Sequence, residues 1–141
     1  MAADLFEIVE TPIDVSALLA EVACDEAGAT SLFLGTVRNH NQGKGVRYLE
    51  YECYPEMALK EMVKIVAQAR LRWELYQVGM IHRVGRLEIR EAAVAIAVSS
   101  AHRQASLEAL QFCIDTLKAT VPIWKKEYWE DGSMWLENCC G

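Results

Sequence analysis

The run Ala92-Ala93-Val94-Ala95-Ile96-Ala97-Val98 is the longest apolar stretch in the chain. It is far short of the ~20 residues that a membrane-crossing helix needs. A run of this length, carrying Val and Ile and followed by Ser99-Ser100, reads as a central β-strand. A central strand needs neighbours on both sides, and the rest of the sequence supplies them.

Residues 5–9 (LFEIV) read as a short strand. Asp14 is a suitable N-cap for a helix with Val15, Leu18, Leu19 and Val22 at helical spacing, ended by Gly28. Residues 29–38 read as a buried strand, rich in apolar and β-branched residues. Asn39–Val46, with Gly43 and Gly45, reads as a loop. Residues 47–54 alternate, placing Leu49, Tyr51 and Cys53 on one face and Glu50 and Glu52 on the other.

Pro55 suits the first turn of a helix running to about Tyr76, with Leu59, Met62, Val63, Val66, Ala69 and Trp73 as its apolar face. Residues 77–90 read as two short strands around Val84-Gly85. A third helix spans 102–118, with Leu107, Leu110, Cys113, Ile114 and Leu117 inward, and Pro122 blocks its continuation. Strands at 122–129 and 133–137 flank the hairpin signal Asp131-Gly132. Strands outnumber helices and hairpins recur. The expected fold is therefore an α+β sandwich with a mainly antiparallel sheet and three helices, in a single domain over residues 1–141.

A net charge of -6 argues against sequence-independent nucleic-acid binding, which needs a basic footprint. The first thirty residues hold no lysine or arginine, so the positive charge is gathered later in the chain. The start, MAADLFEIVETP, has neither the basic nor the apolar region of a secretory signal, and the expectation is a soluble, cytoplasmic protein without membrane contact. Five cysteines with no CxxC argue against a disulfide framework or a zinc site. His40, His82 and His102 lack metal-ligand spacing, so no metal is expected. Gly43-Lys44-Gly45 is not a phosphate-binding P-loop.

What remains is a set of cations at the ends of elements. Arg38 ends a strand, His102 and Arg103 open the third helix, Lys118 closes it, and Lys125 and Lys126 follow Pro122. A helix N-terminus favours an anion, and cations placed there are locally unfavourable unless an anion joins them. Lys118 stands among Leu117, Val121, Ile123 and Trp124, and a partly desolvated lysine becomes a usable base or nucleophile. Solvated surface charge remains the competing explanation. It is accepted for Lys44, Lys60, Lys64, Arg70 and Arg72, and for His82 and Arg83 a structural role is expected.

The segments FLGTVRNHN (33–41), YECYPEMA (51–58), HRVG (82–85), SSAHRQASLEALQFCIDTLK (99–118) and VPIWKKE (121–127) resemble the molybdopterin synthase catalytic subunit family over almost the whole chain. The resemblance implies an α/β hammerhead-type fold and a sulfurtransferase with no bound cofactor. It implies a homodimer within a heterotetramer, each copy binding a small ubiquitin-like sulfur-carrier subunit whose C-terminal Gly-Gly ends in a thiocarboxylate. The sulfur passes to cyclic pyranopterin monophosphate, and two transfers form the molybdopterin dithiolene.

By matching positions, Thr36, Val37, Arg38, His102, Arg103, Lys126 and Glu127 bind substrate, while Lys118 and Lys125 both bind it and serve catalysis. Phe33 and Ile114 fall where apolar residues line the tail channel or simply pack the core. Some relatives carry an arginine near the C-terminus, where this chain reads Asn138-Cys139-Cys140-Gly141; the two cysteines are read as incidental. The charges at the two ends of the third helix are ~24 Å apart, which suggests a site shared between two copies. Two other readings stay open: a different enzyme for a phosphorylated small molecule, and an adaptor that docks a ubiquitin-like protein without catalysis.

Overall fold

The computed structural model describes residues 4–138. Its elements run β1 (Leu5–Val9), α1 (Val15–Val22), β2 (Ala29–Thr36), β3 (His40–Asn41), β4 (Lys44–Cys53), α2 (Pro55–Arg72), β5 (Val78–Arg83), β6 (Gly85–Glu88), β7 (Ala92–Ser100), α3 (Arg103–Thr120), β8 (Ile123–Trp129) and β9 (Met134–Asn138). They form two sheets. One has the order β1-β5-β7-β2; the other has β3-β4-β8-β9, with β6 also paired to β4. Every pairing is antiparallel except β1 with β5. The α+β class, the three helices and the mainly antiparallel pairing are as expected.

Strand β7 explains why its sequence is continuously apolar. Val94, Ile96 and Val98 belong to one core, with α2, α3 and the second sheet. Ala95 and Ala97 face a smaller core built on Leu18 and Val22 of α1. Both faces are therefore covered, and no position along the strand needs a polar side chain. Ser106 of α3 is small enough to approach the sheet closely, and its hydroxyl is satisfied by the Val98 carbonyl at 2.9 Å and the Ser31 hydroxyl at 2.7 Å.

Local details depart from the sequence reading in five places. Residues 39–46 are not a loop: β3 and β4 form a tight hairpin, with Gln42 (φ 52°) and Gly43 (φ 76°) both left-handed, the requirement of a two-residue hairpin turn. Strand β2 stops at Thr36 rather than Arg38. Val37 leaves the ladder and bonds Glu91 and Arg90 instead, at 3.0 and 2.9 Å. Helix α1, capped by Asp14 as expected, ends at Val22, well before Gly28.

Helix α2 ends at Arg72, not Tyr76. The Arg70 guanidinium holds the Leu75 and Tyr76 carbonyls at 2.9 and 3.1 Å and bonds Asp4 at 2.6 Å, so Arg70 is a bracket rather than a solvated charge. The buried helix faces are also rotated from those expected. Val63 and Leu107 are exposed, while Ile65, Ser106 and Ala109 are buried, because α2 and α3 pack on each other as well as on the sheet.

No helix among the described residues is long and apolar enough to cross a membrane. Cys24, Cys53 and Cys113 are free thiols. Cys139 and Cys140 lie outside the described residues.

Candidate active site

A cavity of about 220 Å³ opens between the ends of the two sheets and the last turn of α3. The first sheet contributes Gly35 and Thr36 from the end of β2, His82 from β5, and Ala93 and Val94 from β7. Arg38 and His40 close one side from the segment after β2. Val46, Leu49 and Tyr51 line it from β4, Ile114, Leu117 and Lys118 from α3, and Lys125 and Glu127 from β8. The double-sided burial of β7 thus provides an apolar floor beneath a polar rim.

The best-anchored polar group is Glu127. It is buried, and Asn41 of the β3–β4 hairpin donates to both carboxylate oxygens at 3.0 Å. The Trp129 indole donates at 2.9 Å, and the Lys125 ammonium lies 3.4 Å away. Burial alone would raise the carboxyl's pKa. The bonds from Asn41 and Trp129, with the Lys125 charge, together outweigh it and hold the group below its ordinary 4.5. Glu127 is therefore a fixed anion that keeps the Lys125 ammonium against the cavity wall.

Strand geometry separates the two neighbouring lysines. Lys125 and Glu127 are two residues apart on β8 and share a face. Lys126 points to the other face, 3.9 Å from Glu52, and does not line the cavity. Arg38, Lys118 and Lys125 thus bring three basic side chains to the cavity against one buried carboxylate, in a chain whose net charge is -6. Such a focus of positive charge suits a small anionic ligand. His82 does not add to it. Burial pushes its ring down to about 4; the Arg83 carbonyl opposes that push and the Lys118 charge adds to it, so the imidazole is neutral near pH 7.

A family described as MoaE protein matches residues 8–120. The molybdopterin synthase catalytic subunit of Halalkalibacterium halodurans is 46% identical over 136 residues, covering 96% of this chain and 87% of that protein. The chain belongs to the MoaE family. The crystal structure of molybdopterin synthase from Staphylococcus aureus superposes with a TM-score of 0.89 at 38% identity, covering 94% of this chain and 96% of that one. A chain from the complex of subunits 1 and 2 of molybdopterin-converting factor of Helicobacter pylori gives 0.74 at 22% identity, over 89% and 86% of the two chains, a likeness of fold.

Of the residues singled out in this MoaE-family sequence, the cavity gathers Thr36, Arg38, Lys118, Lys125 and Glu127. Four others are placed elsewhere. Val37 is turned into the core, 3% exposed, because its backbone is bound to residues 90 and 91. Lys126 is on the far face of β8. His102 is the N-cap of α3 and Arg103 its first residue, at the helix end away from Lys118. Lys118 is also more exposed than its apolar neighbours suggested, since Leu117, Val121 and Ile123 turn inward while Lys118 stays on the rim.

Ile114 lines the cavity, and Phe33 packs against the core. Sequence reasoning missed His40, Tyr51 and His82 on the cavity wall, and Asn41 as the anchor of Glu127. Tyr51 lay on the inward face of an alternating strand, and His82 ended an apolar one. Both patterns pointed at this wall, although neither specified chemistry. Asn41 was hidden in a segment read as loop.

Proposed function

We propose that this chain is the catalytic subunit of a molybdopterin synthase, which takes sulfur from the thiocarboxylate ending a small ubiquitin-like partner and adds it to cyclic pyranopterin monophosphate, forming the dithiolene in two transfers. The observation that carries this reading is the convergence of Arg38, Lys118 and Lys125 on one cavity of a MoaE-family chain. Both reactants are anions, and each needs a cationic seat.

A thiocarboxylate is already a nucleophile, so the protein's tasks are to place it, hold the pterin and move protons. Each transfer leaves the tail as a carboxylate, with water supplying the oxygen that replaces sulfur. Arg38 offers a planar fork to phosphate or carboxylate. Lys118, on the accessible rim, handles protons. Lys125, clamped by Glu127, stabilises charge that develops on the pterin. Thr36 and Val37 shape the strand end that carries Arg38, and Lys126, on the far face of β8, would meet an anionic ligand or partner outside the cavity.

His102 and Arg103 enter the same scheme from a second copy. The ~24 Å between the ends of α3 is too long for one small ligand, and a twofold dimer brings the helix start of one protomer to the cavity of the other. With one small subunit per protomer, the assembly is a heterotetramer. A cytoplasmic setting belongs to the same reading and is supported by the free thiols Cys24, Cys53 and Cys113.

The test mixes the chain with thiocarboxylated small subunit and the cyclic pterin. Dithiolene product is expected, and binding of the partner without product would instead favour an adaptor.

A further inference from the structure

His82 is at the next-to-last position of β5, and its ring is among the largest fully buried side chains of the molecule. The sulfur-transfer chemistry leaves it without a task. A buried histidine that only packs is the ordinary case, but four observations set this one apart.

The ring lines the same cavity as Lys118 and Lys125. Its Nδ1 is 2.8 Å from the Arg83 carbonyl oxygen. A carbonyl can only accept, so Nδ1 carries the proton, and in the neutral ring Nε2 is left as a bare acceptor. The Tyr51 ring stands edge-on at 5.1 Å and 71°, which fixes the imidazole plane. Finally, the Lys118 ammonium is close enough for its charge to act on the ring.

Among the groups on the wall, Arg38, Lys118 and Lys125 only donate, and Glu127 is committed to Asn41, Trp129 and Lys125. The Thr36 and Tyr51 hydroxyls can accept as well as donate, and His40 keeps an acceptor nitrogen on the exposed edge, so His82 is the buried imidazole of the wall. A second carboxylate beside Lys118 would cancel the charge that an anionic ligand needs. A neutral acceptor orients an ammonium and leaves its charge intact.

We propose that His82 is a positioning residue for Lys118: its unprotonated Nε2 accepts a hydrogen bond from the ammonium and aims that charge at the ligand without neutralising it. The proposal rests on reading the cavity as a sulfur-transfer site.

Its test compares His82→Leu and His82→Gln with the unaltered protein in the assay for dithiolene product. With leucine, kcat should fall ~10- to 100-fold, the scale of one hydrogen bond to a charged group, while KM for the pterin stays within about twofold. Glutamine restores an acceptor near the Nε2 position and should recover most of the loss. If the unaltered protein forms no product, the sulfur-transfer reading fails. If it turns over and His82→Leu keeps its kcat, the role of His82 fails.

Nitrogen NMR of the histidines gives an independent readout should the leucine variant not fold. The His82 Nε2 resonance should be that of an unprotonated nitrogen and should move in Lys118→Met. A protonated Nε2, or one indifferent to the loss of Lys118, would overturn the proposal.

Discussion

Helix α3 carries cations at both ends, yet only the C-terminal one meets the cavity. Lys118 lines the wall with Ile114 and Leu117 just before it. His102 and Arg103 crown the other end, where no side chain caps the helix and the Ser100 hydroxyl reaches only the His102 carbonyl, at 2.6 Å. A lysine in the last turn agrees with the helix dipole, whereas an arginine in the first turn opposes it. The C-terminal end thus explains itself within one chain. The N-terminal end becomes reasonable once an anion is supplied, and that difference is why a second protomer enters the proposed function.

The largest expected effect tests whether the Lys118 end is where the partner's tail terminates. Adding one residue after the partner's last glycine should abolish sulfur transfer while the two proteins still co-purify. Unimpaired turnover would remove the reason to regard this cavity as the tail's destination. Next in size, Lys118→Ala should lower product formation by ~10²-fold or more, the usual scale for a proton-handling residue. Because Lys118 is on the rim and outside the core, its melting curve should be unchanged. A near-normal rate would make the two ends of α3 equivalent and leave both without a catalytic role.

The opposite end is tested by complementation. Arg103→Ala and Lys118→Ala chains, each inactive alone, should regain about a quarter of full activity after mixing and exchange. Half of the dimers are then mixed, and each mixed dimer keeps one intact site of two. Verified mixed dimers without activity would place each site within a single chain.

The smallest effect concerns the anchor beneath Lys125. Glu127→Gln should lower the melting temperature by a few degrees near pH 7, because the amide cannot accept from Asn41 and Trp129 while also facing Lys125. The sign with pH follows from the lowered carboxyl pKa. Glu127 contributes stability above its unfolded value, and that contribution is lost as pH falls through the lower folded value. The gap between the two proteins should therefore narrow in acid; a gap that is constant down to pH 3 would mean that Glu127 is not held as an anion.

What was legible in the sequence followed period and punctuation. The apolar run of β7, the caps at Asp14 and Pro55 and the hairpin at Asp131-Gly132 each have one dominant local cause, and all appear in the fold. The β3–β4 hairpin was not legible because Gln42 occupies a left-handed position that Asn or Gly usually fills. On β8 the adjacent lysines were both assigned to the site, although strand alternation allows only one of them inward. Helical spacing points Val63 and Leu107 inward, yet both are exposed, since two packed helices and a sheet compete for the same stripe and spacing alone does not say which neighbour wins. The site's cations were legible as charges at element ends, but the donor Asn41 and the acceptor His82, brought in by tertiary pairing, were not.

The covered strand beneath the cavity also sets its clocks. Val94 is paired with Gly35 on one side and His82 on the other, in a strand packed on both faces, so its amide should exchange with solvent only when the whole domain opens. The β3–β4 hairpin, in contrast, is held by a two-residue turn, the Asn41–Glu127 bonds and the exposed Lys44–Asp131 contact at 2.8 Å. Its amides can exchange through small local openings. Floor and edge then keep different time: the cavity floor persists for the life of the fold, while the edge bearing His40 and Asn41 can open and close many times within it.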